Sequence, residues 1–82
     1  MAQADRLDAL ASLATLYASA NRRGDARQVL VEMVSKHPTP DAFALGIRTF
    51  HNTQDREGEA QLFAEARRLF RADPRFQPSR PR

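Results

Sequence analysis

An all-α protein built from two helical hairpins is what this chain predicts, on three observations. Apolar residues recur at spacings of three and four in four separate segments. Gly, Pro and Asp punctuate the sequence between those segments where helices stop and start. No stretch alternates apolar and polar residues in the manner of a half-buried strand. The helices are antiparallel neighbours because only two to five residues join them, which leaves two arrangements: stacked hairpins, or a closed four-helix bundle as the alternative.

The first apolar series is Leu7, Leu10, Leu13, Ala14, Leu16, Tyr17 and Ala20, a wide face on a helix placed at about 5–21. Asp5 and Asp8 lie near its start, where negative charge suits the helix dipole. Asn21-Arg22-Arg23-Gly24 follows, with Gly24 suited to a left-handed turn and Asp25 to an N-cap. Ala26, Val29, Leu30, Met33 and Val34 continue the stripe on a second helix at about 26–37, which Pro38 stops. Thr39-Pro40-Asp41 opens the third helix, about 40–51, with Thr39 as cap and Pro40 at the first helical position. Phe43, Ile47 and Phe50 mark its buried side, and Gly46 a close helix contact. Asp55 caps a fourth helix whose stripe is Leu62, Phe63, Ala66, Leu69 and Phe70, ended by Asp73-Pro74.

Charge is distributed in a way that decides what it means. Residues 1–74 carry ten basic and ten acidic side chains, so the net +3 comes entirely from Arg75, Arg80 and Arg82. A neutral helical domain over 1–74 and a basic Pro/Arg tail over 75–82, expected to be disordered, follow from that asymmetry. Such a body is not the concentrated basic face that phosphate binding requires. The tail is the best support for nucleic acid as the alternative partner. No apolar run approaches the ~20 residues needed to span a bilayer, so no membrane partner is expected. The start of the chain lacks the basic and apolar regions of a signal peptide, which makes cytoplasmic the expected location.

Catalytic chemistry finds no support. The two histidines, His37 and His51, each sit near a helix end and belong to no HExxH or Glu-x-x-His pair. With no Cys there is no thiolate metal site, and the three glycines form no phosphate loop. The arginine groups Arg22-Arg23-Arg27 and Arg67-Arg68-Arg71 are interspersed with Asp25, Glu65 and Asp73, as solvated helix faces usually are. A non-enzymatic protein with no cofactor and no metal is expected.

Shifted by 33 residues, the chain falls on itself. Leu10, Leu13, Ala14 and Tyr17 meet Phe43, Gly46, Ile47 and Phe50; Val29, Leu30 and Met33 meet Leu62, Phe63 and Ala66. The first unit also carries Leu10, Leu13-Ala14, Tyr17, Ala26 and Pro38 at the spacing of a tetratricopeptide repeat, with Leu30 and Met33 at its later positions. It resembles that family over about residues 8–74, less closely in the second unit, where Ala60 and Pro74 fall out of a common register.

The resemblance implies a protein-interaction module, an adaptor or small chaperone-like protein, with a groove lined by the first helix of each unit. Its groove positions map to Asp8, Ala11, Thr15 and Ser19, and to Asp41, Ala44, Arg48 and Asn52. Ala11, Thr15, Ser19, Arg48 and Asn52 are therefore the candidate partner-binding residues, with Arg48 and Asn52 as anchors for a peptide. The Lys/Asn carboxylate clamp of the family is absent, because Ala11 and Thr15 stand there.

Two units are fewer than the roughly three that repeat stacks generally need. Leu62, Leu69 or Phe70 on the outer side of the last helix, and Leu13 and Leu16 on the first, are expected to be uncovered. Such surface implies a helical partner, a homodimer or a place at the end of a longer repeat array. Phe76 could instead fold back and cover part of it.

Overall fold

The computed structural model describes the backbone of residues 2–77 and the side chains of residues 6–77. Four α-helices follow in order: α1 (Ala2–Ser19), α2 (Arg23–Lys36), α3 (Pro40–Asn52) and α4 (Arg56–Leu69), then a short 3-10 turn, Pro74–Phe76. There is no strand among the described residues. The expected side chain of Asp5 and the residues Pro78, Arg80, Pro81 and Arg82 of the tail lie outside the described side chains.

The helices pair as α1 with α2 and α3 with α4, and α3 also packs on both α1 and α2. Because α1 and α4 do not form a packed pair, the hairpins are stacked side by side and the ring of a four-helix bundle stays open. The core runs through the junction. Ala14, Leu30 and Met33 from the first hairpin, Phe43, Phe50, Leu62 and Ala66 from the second, and Phe76 are all buried. Gly46 brings α3 close to both flanking helices: a Cβ there would stand 2.7 Å from Leu62 Cδ2 and 3.5 Å from Met33 Cε.

The local signals act as sequence chemistry dictates at two of the helix starts. Thr39 Oγ1 accepts the Ala42 N–H at 3.1 Å, and Asp55 Oδ1 accepts the Gly58 N–H at 3.0 Å, satisfying donors that a helix start leaves unpaired. The start of α2 differs from expectation. Arg22 occupies the cap position, Gly24 is inside the first turn, and Asp25 pairs with Arg22 Nε at 2.7 Å. The left-handed residue that closes the preceding turn is Asn21 (φ 68°), one of the few residues besides glycine that adopts this conformation readily. α4 ends at Leu69, four residues before Asp73, and the chain turns there through Phe70.

That early end lets the C-terminal segment return. Asp73 Oδ1 accepts the Arg75 N–H, and the Arg75 guanidinium bridges Asp73 at 2.9 Å and Asp41 of α3 at 3.2 Å. Phe76 is 2% exposed, packed edge-on against Phe63 and tilted against Phe70. Phe70 in turn meets Phe43 edge to face at 5.4 Å. The segment expected to begin a disordered tail at Arg75 is thus, through Gln77, a strap across the second hairpin.

Candidate functional site

The two hairpins repeat in backbone as well as sequence. Asn21 and Gln54 (φ 63°) take the same left-handed turn, 33 residues apart. The Arg22 N–H donates to Tyr17 O as the Asp55 N–H donates to Phe50 O, and α2 and α4 are both 14 residues long. A shift of 33 therefore relates equivalent places in the fold.

Burial does not follow that relation, and the departures locate the candidate site. Ala14, Ala26 and Leu30 are 0, 5 and 0% exposed within the core that both hairpins build. Their equivalents Ile47, Glu59 and Phe63 have no third hairpin to cover them and are only half-buried. They line an open groove of about 1060 Å³ together with His51, Ala60, Arg56 and Gln54. Its floor is apolar, from Ile47, Ala60 and Phe63, and its rim is polar. His51 Nδ1 of α3 lies 3.3 Å from Glu59 Oε2 of α4 across it. A smaller hollow continues from it past Ala44 and Arg48 to the strap residues Arg75 and Phe76.

The candidate residues from the sequence are only partly brought to this place. Arg48 is exposed and borders the smaller hollow. Asn52 is exposed at the end of α3, and Ser19 at the end of α1. Thr15 is exposed, but its hydroxyl donates back to Ala11 O at 3.0 Å. Ala11 is 8% exposed, closed off as part of the core side of α1, and offers no flat floor to a ligand. The groove residues Ile47 and His51 stand one position before the Arg48 and Asn52 chosen from the family pattern. Their signal was in the sequence: they are the partners of Ala14 and Ala18 at a shift of 33, and Ala14 was already on the buried stripe.

The uncovered surface also differs from expectation. Leu62 is buried (7%) and Phe70 half-buried, while Leu69 (46%) is exposed. Leu69 and the exposed Val31 border a smaller groove of about 430 Å³ between α2 and α4, floored by Phe43, Phe50 and Leu62. On α1, Leu13 (38%) and Leu16 (66%) are uncovered as the wide apolar arc implied.

Polar contacts from Arg27 span the stack, to Asp55 and, at 3.9 Å, to Glu57. Arg27 of α2 donates Nε to Asp55 Oδ2 at 3.1 Å and a terminal nitrogen to Oδ1 at 2.8 Å. Burial opposes ionisation of Asp55. The Arg27 hydrogen bonds, the Gly58 N–H and the guanidinium charge outweigh it and hold the carboxyl below its ordinary value. Asp55 thus caps α4 and ties it to the first hairpin with one side chain.

Among the described residues no three His, Cys, Asp or Glu side chains gather as metal ligands would, and no helix is long and apolar enough to cross a membrane. Arg75 is engaged by Asp73 and Asp41 and lies over the Phe76 ring, which leaves Arg80 and Arg82, outside the described residues, as the remaining tail cations. No protein family, curated protein or solved structure matches this chain.

Proposed function

We propose that this chain is a non-enzymatic interaction module that holds an α-helical segment of a partner polypeptide in the groove of α3 and α4. A single observation carries the reading. The groove residues Ile47, Glu59 and Phe63 are the repeat equivalents of Ala14, Ala26 and Leu30, which are closed off in the core, yet they themselves stay half-buried along an open groove. An open apolar floor between two paired helices with a polar rim is a surface on which an amphipathic helix can lay its apolar face. The apolar floor suits an anchor such as Leu or Ile, and the His51, Glu59 and Arg56 rim gives polar register.

The resemblance to tetratricopeptide repeats agrees with this role. Ala14, Ala26, Leu30 and Met33 lie in the buried seam of the first hairpin, where that pattern needs small and packing residues, and Tyr17 is half-buried beside them. An adaptor or small chaperone-like protein is the form of function that such a groove serves.

Selection of a displayed library of amphipathic helical peptides against the protein tests the proposal. Enriched peptides should bind Ile47→Asp at least about tenfold more weakly, a loss of about 1.4 kcal/mol. They should bind Leu16→Glu, which alters the opposite edge, as they bind the unaltered chain. Helical circular dichroism of I47D must show the fold retained. Failure to enrich any peptide, or binding indifferent to I47D, would sink the proposal.

A further inference from the structure

The charges around the groove carry the proposed reading further, to the chemistry of the helix it takes. Among the described residues from Asp41 to Gln77, every carboxylate is engaged. Arg75 holds Asp41 and Asp73, Arg27 reaches Asp55 and Glu57, His51 lies against Glu59, and Arg68 holds Glu65. Arg48, Arg56, Arg67 and Arg71 are exposed and have no acidic partner among the described residues. Glu65 and Asp73, the acids interspersed with the second arginine group, are thus taken by Arg68 and Arg75 and do not neutralise Arg67 or Arg71.

Three of these four cations stand on one side of α4. Arg56, Ala60, Ala64 and Arg67 are all exposed and, at spacings of four, four and three, form a single row beside Phe63. Arg71 lines, with Ala64, Arg67 and Gln77, a hollow of about 560 Å³ at the end of that row. Arg48 stands on the α3 bank, in the smaller hollow that also touches Phe63. In the first unit the equivalent row of α2 faces the second hairpin. Arg27, Val31 and Val34, the equivalents of Ala60, Ala64 and Arg67, line the groove floored by Phe43, Phe50 and Leu62, and Arg27 grips the Asp55 carboxylate where α4 starts. That row meets its neighbour through an arginine on a carboxylate beside an apolar strip.

We infer that the α4 row meets a partner in the same way and that the partner helix is acidic. Its apolar face lies on Ile47 and Phe63, and its carboxylates meet Arg56 at one end and Arg67 and Arg71 at the other. The inference rests on the groove being a helix site. Arg56 and Arg67 are eleven residues apart in α4, about 16 Å along its axis. A helix lying along α4 therefore needs Asp or Glu about eleven positions apart, with its apolar anchors between them. A nucleic-acid strand matches this spacing poorly. Duplex DNA places a phosphate about every 3.4 Å of axis on each strand, and the Ala60, Ala64 and Phe63 side chains between the arginines offer it no donor.

Helices selected from the displayed library should carry Asp or Glu about eleven positions apart, flanking the apolar stripe. Three synthetic peptides sharing one enriched stripe, with Glu, Gln or Lys at those two positions, separate charge from apolar contact in fluorescence-anisotropy titrations. The Glu peptide should bind roughly tenfold more tightly than the Lys peptide, with Gln between, because each exposed ion pair contributes a few-fold. The difference should shrink in about 0.5 M salt. Arg56→Glu combined with Arg67→Glu should reverse the order, and tight binding of the Lys peptide then also shows the fold retained. Arg6→Glu, on exposed α1 surface, should leave the order as it is. Equal binding of the three peptides, or an order that R56E/R67E does not reverse, overturns the acidic partner; the helix groove still stands if I47D weakens all three. Binding that I47D leaves intact removes the groove and the inference together. An oligonucleotide that outcompetes the Glu peptide and is lost in R56E/R67E overturns the inference in favour of nucleic acid.

Discussion

At the scale of residues, the three glycines show how one methyl group reads the packing. A Cβ on Gly58 would stand 2.6 Å from Cε1 of Phe50, a ring among the most buried in the molecule. Nothing there can yield, so Gly58→Ala is expected to cost about 2 kcal/mol despite the better helix propensity of Ala. At Gly46 the obstacle is Leu62 Cδ2 at 2.7 Å, the end of a flexible side chain, and the propensity gain offsets the strain. Gly46→Ala should fall within about 1 kcal/mol of the unaltered chain. Gly24 has no neighbour within 4 Å, and Gly24→Ala should stabilise by about 0.5 kcal/mol. Urea melts of the three variants check the order, and equal effects would mean that the close contacts are absent. Sequence periodicity marked Gly46 as a contact because it lies on the α3 stripe among Phe43, Ile47 and Phe50, whereas Gly58 precedes the apolar stripe of α4 and carried no such signal.

At the scale of elements, the C-terminal strap is the piece that changes the molecule's edge. Its local causes are legible: Asp73 and Pro74 start a short turn, and Phe76 is apolar. That Phe76 could fold back was open from the sequence, but the residues that receive it were not legible, since Phe63, Phe70 and Asp41 converge only when α3 and α4 are paired. Truncating a buried aromatic removes its transfer energy and leaves a cavity, so Phe76→Ala should destabilise by about 3 kcal/mol. In a domain of this size that lowers the melting temperature by at least roughly 12 °C. A thermal melt followed by circular dichroism reads it; a shift of only a degree or two would mean that the strap is not packed in solution.

At the scale of the whole molecule, the Arg27–Asp55 link joins the hairpins and makes the stack sensitive to acid. The folded-state pKa of Asp55 lies below its ordinary 3.8, so the unfolded chain binds the proton more readily. The contribution is therefore complete above about pH 5 and is lost as pH falls through the folded-state value. Asp55→Asn should be less stable than the unaltered chain at neutral pH and lose less on acidification towards pH 3. Because Arg27 is partly exposed and Asn can still accept the Gly58 N–H as a cap, the loss is expected to be small. Parallel stability curves for the two proteins against pH would show the connection to be unimportant.

By itself the sequence determined the helices, their order and the repeat of 33, because periodicity, Thr39, Asp55, Pro38 and Pro40 act within a few residues of themselves. The width of the α1 stripe already marked Leu13 and Leu16 as uncovered, but tertiary structure decided which of two repeat-equivalent residues is covered. Ala14 and Ile47 occupy equivalent positions, yet one is fully buried in the core and the other lines an open groove. Local chemistry cannot distinguish them, since burial depends on which neighbour arrives from a distant part of the chain.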